Sequence, residues 1–130
     1  MVPAPFTEEA LSTATGKKCV LVASTEPARQ QGLMGVHTTA PWDGMLFVFA
    51  APNRTGFWMK DTLIPLDIAF IGASGAVQEV LAMEPCPPEV AQCPIYTPAR
   101  EYSSALEVER GKATSFGLVP GSTVAPAGAC

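Results

Sequence analysis

Short apolar segments separated by turn residues run the length of the chain. Lys17-Lys-Cys-Val-Leu-Val-Ala23 reads as a strand that ends at Ser24-Thr25. Met45-Leu-Phe-Val-Phe49 is apolar at every position, the pattern of a strand covered on both faces. Arg54 to Lys60 alternates, with Phe57 and Met59 on one face and Trp58 and Lys60 on the other. Leu66 to Ile71 and Ala76 to Met83 flank the turn Gly72-Ala-Ser-Gly75 and predict a hairpin. Tyr102 to Glu109 alternates again, which predicts Leu106 and Val108 inward and Glu107 and Glu109 outward. One short helix is predicted over residues 26–34. Thr25 is its N-cap, Pro27 lies in its first turn, and Gly35 is its C′ stop. A helical turn near 111–117 precedes the turn at Pro120-Gly121 and a last strand from Ser122 to Ala125. Seven or so short strands and one small helix predict a mostly β, single-domain fold over residues 1–130. Its expected form is a β-sandwich or partly open, jelly-roll-like barrel, with 1–8 and 126–130 as frayed ends.

Composition narrows the function classes. Thirteen prolines exclude a helical bundle. No apolar stretch approaches the ~18 residues of a membrane helix, so no membrane span is expected. Eight Lys and Arg against twelve Asp and Glu give a net charge of −4. A nucleic-acid partner therefore has no electrostatic footprint.

The four cysteines are Cys19, Cys86, Cys93 and Cys130. Cys86 and Cys93 lie in a proline-crowded loop from Glu84 to Pro94, and a bridge there is expected. Six intervening residues is wide for a metal pair, and the only histidine, His37, is remote in sequence. Cys19 and Cys130 either form a second, very long-range bridge, or Cys130 is a free or intermolecular thiol at a frayed end. A disulfide points to an oxidising compartment, periplasmic or extracellular. Met1 to Phe6 lacks the basic start and apolar core of a signal peptide. The expectation is the mature part of an exported protein, with Met1 an added start.

Three ordered motifs stand out: Arg29-Gln-Gln-Gly-Leu-Met34, Gly44-Met-Leu-Phe-Val-Phe49, and Phe57-Trp-Met-Lys-Asp-Thr-Leu-Ile-Pro-Leu-Asp-Ile-Ala-Phe70. Leu106-Glu-Val and Gly117-Leu-Val-Pro-Gly121 follow downstream. With these pieces the chain resembles the uncharacterised bacterial and archaeal family called domain of unknown function 192. The resemblance implies a single jelly-roll-like β-domain, often exported, and no established activity. Two positions depart from the family pattern. Gly35-Val36-His37 stands where the family usually has a basic residue, and Met59-Lys-Asp-Thr62 replaces Met-Lys-Asn-Thr. Both departures bear on the charge a ligand would meet.

The candidate binding residues are Arg29, Trp58, Lys60, Asp61, Thr62 and Asp67. The loop from Asp61 to Pro65 joins two strands and gathers polar groups at one end of a sheet. Asp67 sits inside an apolar strand, where a carboxylate either faces water or needs a partner. Asp61 or Asp67 serves equally well as a turn cap or a fold-locking ion pair. Trp58 beside Lys60 suits a ligand wall, and packing explains it as readily. Met34, Met45, Met59 and Met83 are scattered and read as core fillers rather than copper ligands. No metal or cofactor set is expected. The leading reading is an exported, monomeric, non-catalytic module that binds a small polar ligand or an envelope component. One alternative is a carbohydrate hydrolase using Asp61 and Asp67, with Glu107 weakened by its outward alternation. The other is a structural or interaction protein without a pocket.

Overall fold

A computed structural model describes all 130 residues. The chain runs β1 (Thr7–Thr13), β2 (Gly16–Ala23), α1 (Glu26–Gln31), β3 (Gly44–Asn53), β4 (Phe57–Trp58), β5 (Leu66–Ile71), β6 (Val77–Met83), β7 (Ile95–Tyr96), β8 (Tyr102–Glu109), α2 (Lys112–Ser115) and β9 (Ala125–Pro126). Seven strands form one sheet in the order β6-β5-β8-β3-β2-β1-β9, and β4 and β7 form a separate two-stranded ribbon. Only β2 and β3 pair in parallel. A parallel pair requires a crossover, and α1 with the loop behind it supplies one. The sheet is an open, strongly curled half-barrel, consistent with a jelly-roll-like sandwich.

Both faces of the central strands are covered. On one face Met45, Phe47, Ile68 and Phe70 pack against Ala28 and Leu33 of the crossover, and against Met59 and Cys86. On the other, Val20, Leu46, Ala69, Leu106 and Val108 pack beneath Ala113 of α2, Leu118 and Val124. The all-apolar run in β3 is thus buried on both sides, as its pattern predicts. Hydrophobic burial on two faces also explains how so charge-poor a chain builds its core.

Several local expectations are corrected. The helix stops at Gln31 rather than residue 34, because Gly32 adopts φ 48° and donates its N–H to the carbonyl of Ala28. A Cβ at Gly32 would touch the ring of Phe47, which fixes α1 close to β3. Its start is as predicted: Thr25 Oγ accepts from the Ala28 amide at 3.3 Å. Only Phe57 and Trp58 of the predicted 54–60 strand join a ladder, because the sole partner available is the two-residue β7. The last strand shifts to Ala125–Pro126, where it pairs with Leu11 and Ser12. Strand β1 carries adjacent Glu8 and Glu9 and no apolar run, yet it is held along its length by β2. Thr7, Glu8 and Pro126 therefore lie in strands. Cys130 is bonded to Cys19, and Cys86 to Cys93.

Candidate functional site

The crossover and the third motif meet. Leu33 and Met34 leave α1 in a turn, and the Gly35 amide donates to the carbonyl of Asp61 at 2.9 Å. Asp61 has φ 56°, the left-handed region that Asn and Asp tolerate best among non-glycine residues. The position that departs from the family's Asn is thus one selected by backbone conformation. The Asp61 amide donates to the Cys86 carbonyl at 2.9 Å, so the disulfide loop is tied to the same turn.

Between α1, β3 and the β4–β7 ribbon lies a cavity of about 470 Å³. That volume falls within the usual range for small-molecule sites, roughly 300–1,000 Å³. Phe47, Phe49 and Phe57 supply aromatic wall, with the Phe47 and Phe57 rings edge-to-face at 5.1 Å. Leu33 and Met34 close it from the crossover, and Thr62 contributes a hydroxyl. Trp58 and Ile95, which are cross-strand partners, stand at its mouth and are 50% and 60% exposed. Tyr102 holds this wall in place by donating its hydroxyl to the Thr55 carbonyl, and burial pushes its phenol well above the ordinary range.

Glu107 also lines the cavity, and this corrects the outward placement read from alternation. Its strand, β8, runs between β5 and β3, and Glu107 lies opposite Met45 on one side and Ile68 on the other. Leu106 and Val108 are indeed inward, but towards the second core, so the face of Glu107 is inward too. Glu107 is only 4% exposed. No protein group donates to its carboxyl, yet no sealed side-chain polar atom is left unpaired, so the carboxyl opens into the cavity. Burial alone pushes its pKa up to about 8, because the low-dielectric surroundings disfavour the charged form. A Cβ at Gly44 would overlap the Glu107 carbonyl oxygen, so glycine is what lets β3 approach β8 beside this residue.

Of the sequence candidates, Arg29, Trp58 and Thr62 reach the cavity. The Arg29 guanidinium donates to the Val48 carbonyl at 2.9 Å and sits 5.0 Å over the Phe49 ring. Thr62 Oγ1 donates to the Lys60 carbonyl at 3.3 Å, leaving its lone pairs free to accept. Lys60 and Asp61 stand beside the cavity without lining it. The Lys60 ammonium lies 6.0 Å from the Trp58 ring centre, on the shared side that alternation predicts. Asp67 is elsewhere. It projects from β5 towards α2, where Oδ2 accepts from the Gly111 and Ala113 amides at 2.9 and 3.4 Å, and Oδ1 faces Arg110 Nε at 3.3 Å. Its surroundings are those of a helix cap. Glu107 is the residue the sequence reasoning undervalued. The signal for it is the apolar run on either side: Ala105, Leu106 and Val108 suit a strand buried on both faces.

Comparison with known proteins agrees with the fold. The model of the family DUF192, described as "Uncharacterized ACR", matches residues 10–126. No curated protein matches the chain. A crystal structure from Sinorhizobium meliloti 1021, described as a candidate transcription regulator, is 28% identical, with a TM-score of 0.80 over 95% of this chain and 97% of that one. A protein of unknown function from Novosphingobium aromaticivorans DSM 12444 is 25% identical, with a TM-score of 0.74 over 95% of this chain and 89% of that one. With a family match over nearly its whole length, the chain belongs to DUF192.

Proposed function

We propose that this protein is a non-catalytic binding module whose cavity takes a small molecule with an apolar body and one polar group. The observation that carries the reading is the unpartnered Glu107 carboxyl at the end of an aromatic-walled cavity. A buried polar group without a protein partner costs stability, and a ligand that completes its hydrogen bonding removes that cost. Arg29, Trp58 and Thr62 belong to this site, with Lys60 and Asp61 flanking it. Two disulfides suit a monomer working in the periplasm or outside the cell.

The hydrolase reading has less support. Asp67 is engaged by Arg110 and two amides, and Asp61 lies outside the cavity lining. A transcription-regulator role, as the Sinorhizobium relative is described, fits this chain poorly. The longest helix here has six residues, too short for the recognition helices of common DNA-binding motifs, and the chain is acidic.

The test is a thermal-shift screen of small metabolites against wild type and two variants that fill the cavity, T62W and M34W. Ligands of the site raise the melting temperature of wild type in a saturable way and leave both variants unmoved. A screen without saturable hits, or hits that both variants retain, overturns the reading.

A further inference from the structure

Two acceptors without a protein donor, the Glu107 carboxyl and the Thr62 hydroxyl oxygen, face the cavity, and the protein brings no free cation to them. Glu107 presents its carboxyl, and the Thr62 hydroxyl has already spent its proton on the Lys60 carbonyl. Arg29 is the one cationic side chain in the lining, and its guanidinium is held against the Phe49 ring and the Val48 carbonyl. The Phe49 ring already carries the Arg29 guanidinium, and the aromatic rings of Phe47 and Phe57 in the lining attract positive charge through their quadrupoles. A net charge of −4 draws cations towards the molecule. We infer that the cavity takes a small organic ammonium ion with an aliphatic or aromatic body, its N–H groups donating to Glu107 and Thr62. The inference rests on the binding reading above and specifies its ligand class.

The chemistry follows from what surrounds Glu107. Its sheet neighbours on that face, Met45, Phe47, Leu66, Ile68 and Phe70, carry no charge. The helix α1 adds Glu26 and Arg29 at the cavity, and Lys60 and Asp61 flank Thr62. Glu109, two positions along β8, is satisfied by the Thr39 amide and the hydroxyls of Thr38 and Thr39. With no ligand, burial keeps Glu107 protonated at neutral pH. An entering ammonium supplies the missing half of a buried ion pair, so Glu107 releases its proton to solvent as the ligand binds. Affinity for an ammonium therefore rises with pH until Glu107 is ionised in the free protein.

Isothermal titration with 2-phenylethylammonium, n-hexylammonium, 3-phenylpropionate and 3-phenylpropanamide at pH 6–9 tests this. The two ammonium ions should bind, with affinity rising about tenfold per pH unit below pH 8 and levelling above it. At pH 7, titrations in buffers of different ionisation enthalpy should show close to one proton released. E107Q should lose at least tenfold in affinity while keeping its circular dichroism, and T62V should lose several-fold. Tighter binding of the propionate or the amide than of either ammonium overturns the cation inference and leaves the cavity a binding site. Failure of all four probes to saturate also overturns it. The binding reading falls with it only if the metabolite screen against T62W and M34W is blank as well.

Discussion

Arg110 Nε lies 3.3 Å from Asp67 Oδ1, while Asp67 Oδ2 receives the amides of Gly111 and Ala113. One carboxylate from β5 thus caps a four-residue helix that has no cap of its own, since its N-cap position is Gly111. Arg110 in turn donates to the Met83 carbonyl and to Glu84 at 2.9 Å, joining β5, β6 and the end of β8. D67A should cost about 2–4 kcal/mol, because it leaves the buried Ala113 amide and the Gly111 amide without their acceptor and Arg110 Nε without its carboxylate. D67N keeps an acceptor and should cost about half as much. Urea unfolding measures both. Ligands of the cavity should bind D67N as tightly as wild type, since Asp67 faces the opposite side of the sheet. A tenfold loss of affinity in D67N would return Asp67 to the binding site.

Glu107 makes stability depend on pH in an unusual direction. Its carboxyl titrates near 4.5 when unfolded and at about 8 when folded. Between those values the folded protein holds a proton that the unfolded chain has released. Stability therefore falls as pH rises from about 4.5 to about 8, by up to about 1.4 kcal/mol per pH unit, and is flat above. Glu109 acts in a separate window. The Thr39 amide is the main cause of its lowered pKa, so its contribution is present above its unfolded pKa and disappears as the solution becomes more acid. E107Q, neutral at every pH, should abolish the decline between pH 5 and 8. It should be clearly more stable than wild type at pH 8 and close to it at pH 5. Chemical denaturation at four pH values decides this, and parallel curves for the two proteins would contradict it.

The same residue marks where pattern reading stops. The strands β3, β5 and β8, the hairpin and the start of α1 are legible because their apolar runs and cap residues act locally. Alternation along β8 reports that neighbouring side chains point to opposite faces, and it does so correctly. It does not report that both faces are covered, a property of α2 on one side and the crossover on the other. Asp67 shows the complementary limit. Its apolar strand signals a buried carboxylate needing a partner, but Arg110 and two amides are brought to it only by the pairing of β5 with β8. Arg29, Trp58 and Thr62 are legible one by one, as members of two motifs, but those motifs converge only through the Gly35–Asp61 hydrogen bond, a meeting no spacing encodes.

At Asp61 the backbone, rather than charge, should decide which residues are accepted. Its left-handed conformation costs most residues about 1–2 kcal/mol, and Asn less. D61N should be neutral in stability to within about 0.5 kcal/mol, while D61V, β-branched, should cost about 1–2 kcal/mol by the same steric argument. D61N should also leave ligand affinity unchanged at constant ionic strength. An affinity change above threefold in D61N would assign its charge a part in binding.

The two disulfides should separate stability from binding. Cys19–Cys130 closes a sequence separation of 111 residues and ties Cys130 to β2, and neither cysteine lines the cavity. Cys86–Cys93 closes only seven, but Cys86 pairs with both Lys60 and Thr62, and the loop leads into Ile95 at the cavity mouth. Chain entropy assigns the long bridge about 5 kcal/mol and the short one about 2.5 kcal/mol. The C19S/C130S double variant should therefore show the larger fall in melting temperature, yet keep wild-type affinity wherever it remains folded. The C86S/C93S variant should lose less stability and more affinity, because freeing the loop loosens Thr62 and the β7 edge together. Melting curves and titrations on both double variants give a two-by-two comparison. If affinity followed stability across both, the short bridge would be a staple like the long one, with no part in shaping the cavity.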